Sequence, residues 1–182
     1  MNPTNLRGLG SAVAASVVLG AVSTFGDWIW ARFLTDGAVL PGLVHGVVFF
    51  AVLALVLAAP CSDPKRALKF LLLTLPAAGL GLAAVFYPLA YAIGYLPSLL
   101  VTWAGMWLAM ALLLRIAAGR DETPKLASLR AVLAAVGSGL AFWAVSDLWT
   151  GGEMSYLGRL WRWTVAFLPG MTLLQVWRSP PK

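Results

Sequence analysis

The sequence predicts an all-α fold: a polytopic membrane bundle of six transmembrane helices with the N and C termini both cytoplasmic. Three observations carry that expectation. Of the 182 residues, 60% are hydrophobic and only 11% charged, with a mean hydropathy of +0.85; an ordinary soluble domain carries about 25% charge. Apolar runs of spanning length recur near 7–31, 38–59, 67–87, 97–118, 127–149 and 156–178, each closed by a polar, charged or proline-bearing break. Cations collect on alternate breaks. Threading six spans puts Arg7, Lys65, Arg66, Lys69, Arg115, Arg120, Lys125, Arg130, Arg178 and Lys182 on the side of the termini, against Arg32, Arg159 and Arg162 opposite; such an asymmetry marks the cytoplasmic face. The whole chain, 1–182, reads as a single transmembrane domain.

The first run resembles a signal core, with Ala21-Val22-Ser23 as a faint cleavage site. It is longer than such cores and ends in a tryptophan anchor, Gly26-Asp27-Trp28-Ile29-Trp30, so it reads as a retained helix. Pro41 and Pro97 fall in the first turns of spans two and four, where the missing N–H costs nothing. Pro60 and Pro64 bracket the loop after span two, and Asp121-Glu122-Thr123-Pro124 marks the one after span four. Pro88, Gly94 and three tyrosines argue for a turn between spans three and four, although that break has no charge. Pro76 is expected to kink span three. Small residues four apart suggest close helix contacts at Gly8, Ala12, Ser16 and Gly20, and at Gly42/Gly46, Ala77/Gly81 and Ala135/Gly139. The same ridges are compatible with a homo-oligomer.

Span six, Tyr156 to Arg178, organises the rest. It opens on Arg159, Trp161, Arg162 and Trp163, and Pro169-Gly170 interrupts it. Proline removes a helical donor and crowds the carbonyl of Val165. Broken backbone at membrane depth must be covered by protein or line a cavity, so the neighbouring helices are expected to shield this point and leave a gap beside it.

Candidate chemistry is sparse. Asp27 and Asp147 reach the outer interface, read either as solvated carboxylates pairing with Arg159 or Arg162, or as a proton or ligand site. His45, the single histidine, reads as a helix-to-helix hydrogen-bonding partner or a ligand. Cys61 is alone, so neither a disulfide framework nor a thiolate metal site is expected. No Ser/His/Asp set, metal spacing or phosphate loop is present, so neither an enzyme nor a metal or soluble cofactor is expected. The net charge of +6 lies at helix ends rather than on a patch, which argues for membrane orientation and against nucleic acid. Ser98 and Thr102 share a face of span four, with Trp103 and Trp107 adjoining. Such hydroxyls usually bond back to their own helix; in a cavity they would orient an apolar ligand.

The last span resembles the Insig (insulin-induced gene) family through Arg159, Trp161, Phe167, Gly170, Thr172 and Arg178, with Gln175 where that family has asparagine. Pro60-Cys61-x-Asp63 is similar to a second family stretch, and Thr102 matches a span-four threonine associated with sterol binding. Ser98 falls where the family has glutamine. The resemblance implies a six-span protein that binds a weakly polar lipid, an oxysterol or diacylglycerol type, as a sensor or regulator. It implies the endoplasmic reticulum for a eukaryotic chain. The Ala/Gly/Arg-rich composition instead suits a prokaryotic homologue in a bacterial plasma membrane. Leu114-Arg115-Ile116 replaces the family aspartate that holds the escort protein Scap, and Leu82-Ala83 stands near an expected Asn-His pair, so a Scap-like partner is not expected. The expected ligand contacts are Ser98, Thr102, Trp103, Trp143, Phe167, Pro169, Gly170 and Thr172. The alternative reading is a small proton-coupled transporter built on Asp27, His45 and Asp147.

Overall fold

The computed structural model describes residues 3–33, 39–59, 61, 63–76, 89, 92–116, 122–145 and 155–175. Among these there are six principal helices and no strand: α1 Pro3–Phe33, α2 Val39–Ala58, α3 Pro64–Thr74, α4 Tyr95–Ile116, α5 Pro124–Val145 and α6 Tyr156–Gln175. Two stretches, Gly8–Trp28 and Pro124–Val145, are long and apolar enough to cross a membrane.

Local chemistry sets the helix starts. Asp63 caps α3, its Oδ1 accepting from Lys65 N at 2.9 Å, with Pro64 at the first helical position. Thr123 does the same for α5 ahead of Pro124, and Ser155 for α6, accepting from Leu126 N at 3.3 Å and Gly158 N at 3.2 Å. Gly94, at φ +88, makes the left-handed turn that delivers the chain into α4. α3 ends at Thr74, and residues 75–76 widen into a π turn immediately at Pro76. Residues 77–87, the rest of the expected third span, lie outside the described residues.

The helices close into a ring. Each packs on its neighbours in sequence, and α1 meets α6 along the most extensive seam. Small residues make that seam. Of the expected ridge Ala12, Ser16 and Gly20 are buried, while Gly8 is half-buried. A Cβ on Gly20 would lie 2.5 Å from Thr164 Oγ1, 3.0 Å from Thr164 N and 3.1 Å from Leu160 O, so only glycine permits this approach. On α5 the buried ridge is Ala127, Ala131, Ala134 and Ser138. It is not the expected Ala135/Gly139 pair: a Cβ on Gly139 would meet nothing within 4 Å.

The proline in α6 behaves differently from the expected break. α6 remains helical through Pro169 to Gln175. Two neighbours hold it there. Gly170 N donates to Ser138 Oγ of α5 at 3.0 Å, and a Cβ on Gly137 would stand 3.2 Å from Pro169 Cβ. On the other flank the Trp107 ring presses on Gly170, where an added Cβ would fall 2.3 Å from Cη2. The protein therefore covers this point with side chains, and the gap expected beside Pro169 is filled there by Trp107.

At one end of the ring, an enclosed ion pair ties the α4–α5 turn. Arg130 Nη1 lies 2.8 Å from Glu122 Oε2, with side chains 2% and 4% exposed. Arg115 Nε also donates to the Glu122 carbonyl at 2.9 Å. Large apolar side chains also face outward from the ring. Val13 and Val17 of α1, Val48 and Leu55 of α2, Leu72 of α3, Leu100 and Leu108 of α4, and Val132, Val136 and Leu140 of α5 all point outward and are exposed.

Candidate functional site

The middle of the ring is a cluster of aromatic side chains around Trp103 of α4. Its ring stacks on Phe167 of α6, with centroids 5.1 Å apart and planes at 26°, and on Trp163 at 6.2 Å and 29°. Phe142 of α5 lies 5.9 Å away, and Trp107, one turn along α4, meets it edge-on at 6.2 Å and 75°. Phe49 of α2 leans on Phe167 from the other side at 5.4 Å. Helical spacing explains the convergence: Trp103/Trp107 and Trp163/Phe167 are each four apart, so each pair projects from one helix face. Favourably oriented aromatic pairs contribute about 0.5–1.5 kcal/mol each beyond area burial.

Polar groups within this cluster are few and unequal. Trp163 Nε1 donates to Asp27 Oδ2 of α1 at 2.7 Å. The Nε1 atoms of Trp103 and Trp107 are buried as well, yet no acceptor for either exists among the described residues. Trp107 is 0% exposed, whereas Trp103 is half-buried. A buried donor without a partner costs about 1–3 kcal/mol and calls for an explanation.

The expected ligand contacts divide. Trp103 and Phe167 lie together in the cluster. Pro169 and Gly170 are in the helix–helix contact with Gly137, Ser138 and Trp107. Ser98 is buried, its hydroxyl donating to Gly94 O at 2.6 Å, and the Thr102 hydroxyl donates to Ser98 O. Both therefore bond back to their own helix. Trp143 is 57% exposed and points out of the ring; its neighbour Phe142 is the one that enters the cluster. Thr172 is half-buried, five residues round α6 from Phe167 and so on a different face. Trp107, Phe142 and Trp163 join the cluster without having been among those expected contacts. The four-residue spacing of two aromatic pairs was the available signal for Trp107 and Trp163.

Of the candidate ionisable groups, Asp27 is described and accepts from the Trp163 indole. Asp147 and the His45 side chain lie outside the described residues. Among those described, no three histidine, cysteine or acidic side chains come together as a metal set. Gln175 Nε2 donates to Val56 O of α2 at 3.2 Å, fastening the far end of α6 across the ring. Comparison of the chain with protein-family models, with curated proteins and with solved structures finds no match.

Proposed function

We propose that this chain is a six-span membrane protein that holds a weakly polar lipid against the aromatic cluster, as a sensor or regulator rather than an enzyme. Among the described residues large apolar side chains lie on the outside of the ring as well as within it, which suits a bilayer. The cation asymmetry supports cytoplasmic termini. The resemblance to the Insig family in span six belongs to the same reading, as does a ligand of sterol or diacylglycerol type. Its apolar body would lie along Trp103, Phe142 and Phe167, reached past the half-buried Trp103 ring.

The observation that carries this reading is the pair of buried indole N–H groups on Trp103 and Trp107, for which the described residues provide no acceptor. A lipid oxygen would supply one. Transfer from bilayer to protein gives little hydrophobic gain, so affinity has to come from ring contacts and these few hydrogen bonds.

Native mass spectrometry of gently extracted protein tests it. Wild type is expected to carry a lipid mass, Trp103→Ala to lose it, and Trp161→Ala, on the exposed face of α6, to keep it. Lipid-free wild type, or equal retention by a folded Trp103→Ala, would refute the proposal.

A further inference from the structure

Three indoles meet in the cluster, and the protein treats them differently. Trp163 is given a carboxylate, Asp27 Oδ2, at 2.7 Å. Trp103 and Trp107 keep buried Nε1 atoms with no acceptor among the described residues. An indole nitrogen donates and never accepts. The rings around these two donors, Phe49, Phe142, Phe167 and Trp163, have no oxygen and no accepting nitrogen. Ser98 and Thr102 donate to Gly94 O and Ser98 O; their oxygens keep lone pairs, but Ser98 stands about 140° round α4 from Trp103. Thr102 also sits about 100° round the helix from Trp103. The carbonyl that Pro169 deprives of its helical donor is that of Val165, and residue 165 lies about 160° round α6 from Phe167. The chemistry offered at the cluster is thus donor-rich and acceptor-poor.

We propose that the site selects the carbonyl form of its lipid, a ketone or quinone oxygen on an apolar ring body, over the corresponding alcohol. This rests on the lipid-binding reading above and specifies its ligand class. A carbonyl oxygen has two lone pairs and no proton, so it can accept from a buried indole N–H and leave nothing of its own unpaired. A hydroxyl can also accept, but it brings a proton that needs an acceptor of its own, and the carboxylate at the cluster, Asp27, is already engaged by Trp163. The flat body of such a molecule also suits a stack in which Trp103 lies within 33° of parallel to three neighbouring rings. Leaving one hydroxyl proton unpaired in a dry site corresponds to about a ten-fold loss of affinity or more.

The test is competition binding to the purified full chain in nanodiscs, read by native mass spectrometry. Two matched pairs serve as probes: cholest-4-en-3-one against its 3-hydroxy alcohol, and a short-chain ubiquinone against its quinol. A preference of at least about ten-fold for one or both carbonyl members is expected, and the favoured pair tells a sterol ketone from a quinone. Trp103→Phe and Trp107→Phe keep an aromatic ring and delete the donor, so each should weaken binding of the carbonyl member several-fold, while Trp161→Phe, on the exposed face of α6, leaves it unchanged; Trp103→Phe suffices if the buried Trp107 variant does not fold. Equal binding, or preference for the alcohol, overturns the inference and leaves the lipid reading standing. So does a native lipid that binds while neither pair does. A chain that retains no lipid of any kind removes the earlier reading and this one with it.

Discussion

Replacing Gly170 by alanine tests the contact on which the proline segment depends. The added Cβ would lie 2.3, 2.4 and 2.6 Å from Cη2, Cζ2 and Cζ3 of Trp107. Ordinary carbon contacts begin near about 3.5 Å, so the ring or the helix has to move by roughly 1 Å. These atoms are the far edge of a side chain, which is normally the cheap part to shift. Here the ring is 0% exposed and braced edge-on by Trp103, so it has little room to yield. Overpacking of this kind costs about 1–3 kcal/mol. Alanine regains up to about 1 kcal/mol of helix propensity, which leaves a net loss of about 0–2 kcal/mol. The discriminating measurement is a double-mutant cycle with Trp107→Phe, which removes the offending atoms, followed by reversible unfolding in mixed micelles. A coupling of at least about 1 kcal/mol is expected, with Gly170→Ala nearly neutral in the Phe background. Strict additivity would show that Trp107 does not press on Gly170, and the account of how α6 passes its proline would fail.

Two further outcomes can be checked by thermal stability in detergent. Gly20→Val should weaken the α1–α6 seam by about 2 kcal/mol or more, because behind the Thr164 hydroxyl at 2.5 Å stand the backbone atoms Thr164 N and Leu160 O at 3.0 and 3.1 Å, which cannot turn aside; a stability equal to wild type would contradict the seam. Glu122→Ala removes one member of an enclosed ion pair and should cost about 3–5 kcal/mol. Adding Arg130→Met to that variant should restore most of the loss, and failure of the second change to help would show that the ion pair does not hold the α4–α5 turn.

The sequence made helix positions legible because breaks are local chemistry. Pro64 and Pro124 sit at helix starts behind Asp63 and Thr123, and these identities can be read without any partner. The Ala12, Ser16 and Gly20 ridge was legible from its four-residue spacing, although Gly10, Ser11 and Ala14 on other faces are as small. On α5 the same reasoning had no contrast to work with. Alanines and glycines occupy several faces, and only the contact with α6 picks 127, 131, 134 and 138 over 135 and 139. Trp143 and Phe142 make the point for the site. Both are aromatic and adjacent, and a helix apolar all round has no polar face to say which turns inward. The bond from Trp163 to Asp27 spans 136 positions in sequence and depends on the register of two helices. No single-chain periodicity encodes that.

The contact between Ser138 and the backbone after Pro169 has a mechanical consequence. A proline in mid-helix ordinarily supplies a hinge, because the donors around it lack fixed partners. Here the adjoining N–H is latched to a neighbouring helix and a wholly enclosed indole is wedged against the other flank. α6 is therefore a strut rather than a lever. Bending at residue 169 is the motion this architecture opposes.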